Sequence, residues 1–452
     1  MLSCRFMAVL ALVLLLAALP LRAAQALVLL RDVEIETTIR ELADPIFLAA
    51  GLDPSSIAIY IVNDNTLNAF VAGGQNLFLN SGLLIRTETP DQLAGVIAHE
   101  AGHIAGGHLS RARVAMEDAG TQAILGTLLG LAAAVAGAPQ VGVAAMAGGL
   151  TVAQSGFLKF SRGQEQAADQ AAVRYMGELG QSPEGLLQFF EILDSDDLHL
   201  SGRANPWLQT HPLTGSRINF LANQVAKSPY AGKAITGAAV ERHARMRAKL
   251  DAFLSEPSDA LRRWQDDPSV PGRYATSIAL YRIPRLDDAL IAIRALIAEH
   301  PDDPYFHELE GQMLYENGRI AEAAGPYREA LALLPASGLL KLGLAKTLIG
   351  SDDPADLREA RQQLVDTTVT EPDNAEAFRL LATAEGRLDN EGAAAIAMAE
   401  FSLLVRHYDD ARRYAMRATQ IIQPGDPDFL KLQDLQAAID ALPPGSRNPR
   451  RR

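Results

Sequence analysis

The sequence predicts a mainly α-helical protein in two parts, an α+β domain with a small antiparallel sheet followed by an α-solenoid. Three observations carry that prediction. Short β-branched and apolar runs punctuated by turn residues lie between positions 57 and 79. Helical apolar spacing takes over from position 89. Beyond about residue 260 the chain becomes a repeat, with helix-ending prolines at Pro301, Pro335 and Pro372. At 452 residues the chain is too long for one ordinary domain, and its 48% apolar content is ample for two cores.

Residues 1–26 read as a signal peptide. Arg5 supplies the positive end, Met7 to Leu19 a short apolar stretch, and Ala24-Gln25-Ala26 a cleavage site. The apolar stretch is too short to span a bilayer comfortably. Cys4, the single cysteine, precedes it and would leave with the signal. The mature chain would then need no disulfides outside the cytoplasm, and any metal would rely on nitrogen and oxygen ligands. A formal charge of −13 argues against a nucleic-acid partner.

Residues 27–261 form the α+β domain. Arg31 to about Ala50 has helical spacing, and Ile57 to Val62 reads as a strand ending at Asn63-Asp64-Asn65. Asn68-Ala69-Phe70-Val71, a Gly73-Gly74 turn and Leu77-Phe78-Leu79 read as a hairpin. Thr89-Pro90-Asp91-Gln92 then starts a helix with an N-cap, a first-turn proline and a capping-box partner. Residues 119–158 carry no charged side chain and break at Pro139. They read as two short apolar helices packed as a hairpin, with peripheral membrane contact or a flap over substrate as the other reading. Helices resume near Gln164, from Pro183 and from about Thr210.

Residues 262–440 form the solenoid. Gly311, Gly318, Ala323, Tyr327, Ala330 and Pro335 have the spacing of a tetratricopeptide unit, in which small residues sit where two helices touch. Ala289 keeps the register one unit earlier, while Phe378 to Leu381 and Ala411, Ala415 and Ala418 mark weaker copies, the last read as a second helix. Three to five repeats fit. Residues 441–452 end the chain as a basic, disordered tail.

The chemistry sits at His99-Glu100-Ala101-Gly102-His103, which matches H-E-x-x-H, a helix that holds catalytic zinc. Histidines at i and i+4 share one helical face, so both imidazoles can reach one ion. Glu100 lies close enough to act on metal-bound water. Catalytic zinc takes three protein ligands and keeps one open position. Glu165 is the candidate third ligand, and Asp169, four residues on, can support a ligand histidine from behind. His108, five residues past His103, is rotated off that face and is not expected as a ligand.

This motif pair resembles the gluzincin metallopeptidases, the family of the heat-shock membrane protease HtpX and the CAAX prenyl proteases. The likeness extends to Asn68-Ala69-Phe70, the uncharged stretch, and Thr210-His211-Pro212-Leu213 with Arg217 following. The resemblance implies a zincin-type domain with one Zn2+ per chain, held by His99, His103 and Glu165, and Glu100 as general base. It implies substrate binding along Asn68, Ala69 and Phe70. Two roles stay open for His211, oxyanion stabilisation or a fourth zinc position that shuts the site. Arg217 is the expected partner of a substrate carbonyl or transition state. Such an enzyme, exported to the periplasm of a Gram-negative bacterium, would degrade unfolded or misassembled envelope proteins. Its repeats would dock clients or the outer-membrane assembly machinery. The alternatives are a chaperone or scaffold whose metal site is mostly latent, and a membrane protease anchored through 119–158.

Overall fold

The computed structural model describes residues 28–108, 111, 162–199, 206–351 and 353–442. The signal segment 1–26, the uncharged stretch 119–158 and the tail beyond 442 lie outside the described residues. Strands β1 (Leu29–Leu30), β2 (Ile59–Val62), β3 (Ala69–Ala72) and β4 (Asn76–Asn80) form one sheet in the order β1-β2-β4-β3. The hairpin of β3 and β4 is antiparallel, but β2 and β4 run parallel, pairing Ile59 with Leu77 and Ile61 with Leu79. The sheet is therefore mixed, not antiparallel. Alternating side chains dictate which face of a strand is buried, not which strand becomes its neighbour. Here β3 passes over the place beside β2, and β4 takes it.

One sheet face buries Ile61, Ala69, Leu77 and Leu79 against helix α1 (Val33–Ala49) and the motif helix α3 (Pro90–Ala105), with the short α2 (Ser81–Arg86) between β4 and α3. Asp32 caps α1 by accepting from the Ile35 amide at 3.0 Å. Helices α4 (residues 162–178), α5 (Glu184–His199), α6 (Pro206–Thr210) and α7 (Gly215–Lys227) complete the domain. Phe47, Phe189, Phe190 and Trp207 are fully buried in its core. Each such side chain contributes about 1.5–3 kcal/mol by leaving water.

Helix α8 (Ala238–Leu254) faces both halves: Met246 and Leu250 join the first core, Ala248 and Ala252 the second. After α9 (Pro257–Trp264) the chain forms successive helical hairpins. They are α10 (Val270–Arg282) with α11 (Leu286–Glu299), α12 (Pro304–Glu316) with α13 (Ile320–Leu333), α14 (Gly338–Ile349) with α15 (Pro354–Thr370), and α16 (Ala375–Arg387) with α17 (Glu391–Leu404). Helices α18 (Tyr408–Ile421) and α19 (Phe429–Asp440) finish the array. Ala411, Ala415 and Ala418 are buried on α18, which packs more extensively on α17 than on α19 and so closes a hairpin with α17, as their spacing predicts for a second helix. Tyr327 explains two small residues of the repeat: a Cβ at Gly311 would lie 2.8 Å from its ring, and one at Gly343 2.5 Å.

Buried charges tie the two halves together. Glu34 of α1 meets Arg245 at 2.7 Å and Lys249 at 3.3 Å, both on α8, and accepts from the Tyr274 hydroxyl at 2.9 Å. Arg245 continues to Asp303 at the start of α12. No helix among the described residues is long and apolar enough to cross a membrane.

Candidate metal centre

Helix α3 is seated by its first turn. Thr89 accepts from the Gln92 amide at 3.4 Å, while the Gln92 side chain reaches back to the Glu88 amide at 2.6 Å, one residue before the N-cap amide that a capping box would use. Nearly every residue from Pro90 to Ile104 is buried, so the motif cannot swing. His99 and His103 present Nε2 atoms only 3.1 Å apart.

Glu165 comes from α4, which lies close because α3 carries glycine at the crossing. A Cβ at Gly102 would stand 3.0 Å from the Ala168 Cα. On α4, Glu165, Ala168, Asp169, Ala172 and Met176 are buried at helical spacing. The Glu165 carboxylate lies 3.4 Å from Nε2 of both His99 and His103. His211 enters from the opposite side, just past α6. Its amide donates to the Trp207 carbonyl at 2.7 Å, and its ring packs on the Trp207 indole with centroids 4.5 Å apart. Its Nδ1 is 3.2 Å from both Glu165 oxygens. Together His99, His103, Glu165 and His211 offer ligand atoms that all lie within 4.8 Å of one another.

A second ring of residues holds the first. Asp169 Oδ1 lies 2.9 Å from His99 Nδ1, and His108 Nδ1 lies 2.9 Å from His103 Nδ1. Arg217 grips Asp169 with two hydrogen bonds, of 2.7 and 2.8 Å, and reaches Glu165 at 3.0 Å and the Pro212 carbonyl at 3.1 Å. It is 2% exposed, its guanidinium turned to these partners. His108 stands outside the four clustered residues, but the sequence reading overlooked its contact. Projecting it around a continuous helix is inapplicable, because α3 ends at Ala105 and Gly107 takes φ +60°, which turns the chain back. The Gly106-Gly107 pair was the available signal. Trp207, also overlooked, had no local signal.

The charges are strongly coupled. Burial opposes a charge on His99, yet Asp169 and Glu165 outweigh it and hold the imidazole at about 9. Burial and the neighbouring imidazoles of His99 and His211 keep His103 well below its ordinary value. For Glu165, burial is outweighed by His211 and His99, and for Asp169 by Arg217 and His99, so both stay below the usual carboxylate range. Burial pushes Glu100 up. Its two carboxylate oxygens are buried with no hydrogen-bond partner among the described residues, and His211 Nε2 is 3.6 Å away. Three imidazoles and one anionic carboxylate form a donor set that suits a divalent cation, with the unpartnered Glu100 carboxyl beside it. Ala69 and Phe70 belong to β3, which packs against α3, and Asn68 directly precedes that strand.

Residues 29–225 match the model of peptidase family M48. The matched segment contains the whole cluster of ligand atoms, and the chain is a metalloprotease. Residues 284–413 match the tetratricopeptide domain of cytochrome c-type biogenesis protein H. The catalytic half and its array together resemble the β-barrel assembly-enhancing protease of Yersinia pestis, 28% identical over 342 residues, 74% of this chain and 69% of that protein. The protein of the same name from Escherichia coli K12 is 27% identical over 396 residues, 85% of this chain and 78% of its own length. Metalloprotease LoiP of the same bacterium is 29% identical over 181 residues, covering 38% of this chain and 64% of LoiP.

Proposed function

We propose that the protein is a zinc endopeptidase of the Gram-negative periplasm that removes unfolded or misassembled outer-membrane proteins. The observation that carries this reading is the convergence of His99, His103 and Glu165 beside the buried, unpartnered carboxylate of Glu100. When bound, zinc would polarise the scissile carbonyl and lower the pKa of water at the site toward roughly 7. Glu100 takes the proton from that water and delivers it to the leaving amine. Asp169 and His108 orient the two motif histidines from behind, and Arg217 fixes Asp169 and Glu165. Arg217 is thus a positioning residue in this reading, since its guanidinium is held by Asp169, Glu165 and the Pro212 carbonyl. Asn68, Ala69 and Phe70 guide the substrate along β3. Relatives named for β-barrel assembly support the envelope setting, and the repeat array supports docking of clients or of the assembly machinery. Glu100→Gln should abolish cleavage of an unfolded protein substrate while metal content stays near one zinc per chain. Undiminished cleavage would sink the assignment.

A second reading, a site shut most of the time, is favoured by His211. Its ring nitrogens face Glu165 and Glu100, where a fourth ligand would displace water. Such a chain would act mainly as a chaperone or scaffold until His211 withdraws. His211→Ala should then raise basal cleavage with zinc retained; a loss of cleavage would instead mark His211 as an oxyanion donor.

A further inference from the structure

The outer face of the sheet carries an unused aromatic ladder. Tyr60 on β2, Phe78 on β4 and Phe70 on β3 stack in a row, with centroids 5.0 and 4.9 Å apart and ring planes 20° and 6° from parallel. All three rings are half-buried, on the side opposite Ile61, Leu77, Leu79 and Ala69. The row stops at Phe70, because β3 is the last strand of the sheet among the described residues.

The hydrogen-bond register decides what the next strand would meet. The Asn80 amide donates to the Asn68 carbonyl at 3.0 Å, so Asn68 and Asn80 form a hydrogen-bonded pair. Pair types alternate along an antiparallel ladder, which makes Phe70 and Phe78 hydrogen-bonded as well. The Phe70 backbone is therefore turned to β4, and Ala69 and Val71 turn their amides and carbonyls to the free edge. A strand added antiparallel to that edge bonds at Ala69 and Val71. Its residue opposite Phe70 then falls in a non-hydrogen-bonded pair, the type in which facing side chains come closest. That side chain emerges on the ladder face.

We infer that the free edge of β3 selects extended substrate segments that place an aromatic side chain opposite Phe70, as a fourth ring on the Tyr60–Phe78–Phe70 stack. The preferred substrate is an extended segment with an aromatic residue at that one register position, and not an unfolded chain of any composition. The inference rests on the peptidase reading above for its consequence, turnover, but not for binding.

The test uses the full metal-loaded chain and a series of extended peptides that differ only by Phe or Ser at one scanned position. Binding is read by fluorescence anisotropy on the Glu100→Gln protein, and cleavage on the wild type. At one position, Phe should improve affinity and kcat/KM about three- to tenfold, chiefly through KM. Phe70→Leu, which keeps an apolar edge, should erase that preference. Aromatic-dependent binding with no cleavage by the wild type sinks the peptidase reading and supports the ladder. Cleavage with no aromatic preference, or a preference unchanged in Phe70→Leu, overturns the ladder and leaves the peptidase reading standing.

Discussion

At the residue scale, the histidines of the motif depend on partners that hold their outward nitrogens. Asp169 serves His99, and Arg217 in turn serves Asp169 through a bidentate pair that is almost wholly buried. Removing such a partner weakens metal affinity about 10- to 100-fold in comparable sites. Asp169→Asn keeps the size but gives up the charge facing both His99 and Arg217. Zinc affinity, read by competition with a chromogenic chelator, should fall by roughly that factor; an unchanged affinity would remove Asp169 from the site's support. His99 with His103, and Glu165 with Asp169, were legible because each pair is set by a four-residue helical spacing. Arg217's grip on Asp169 was not, because it joins residues 48 positions apart.

Elements reach this site through close backbone approaches. Gly95 of α3 faces the start of α5, where a Cβ would lie 2.5 Å from the Leu186 amide nitrogen. The neighbour is backbone, so it cannot turn aside as a flexible side chain would. Gly95→Ala should destabilise the protein by about 1–3 kcal/mol, read from urea unfolding. A stability within error of wild type would show that α5 shifts freely. Helix starts were readable from Thr89-Pro90 and strand existence from alternating apolar residues. Strand order was not. Placing β4 between β2 and β3 depends on how the loop from Asn63 to Asn68 crosses the sheet, and no periodicity encodes that.

On the scale of the whole molecule, the protease domain and the repeat array share α8 and the buried charges around Glu34. Glu34 is fully buried, ion-paired with Arg245 and Lys249, and accepts a hydrogen bond from Tyr274. Deleting one cation leaves a carboxylate inside the joint with too little compensation. Arg245→Ala should therefore cost about 3–5 kcal/mol, with earlier thermal unfolding and faster protease cutting between the halves. Unaltered melting would mean that the joint is held by apolar packing alone. In the proposed function, this joint would hold the array in one orientation relative to β3 and the motif helix. The sequence by itself determined what recurs locally: the helical face of His99 and His103, the Glu165–Asp169 pair, the hairpin of β3 and β4, and the repeat. Those follow from fixed rises and turns per residue. Only the tertiary structure decided which distant groups meet. It brought His211 to Glu165, His108 to His103, Arg217 to Asp169 and Phe70 to the end of an aromatic row, since such contacts depend on the path of the whole chain through its core.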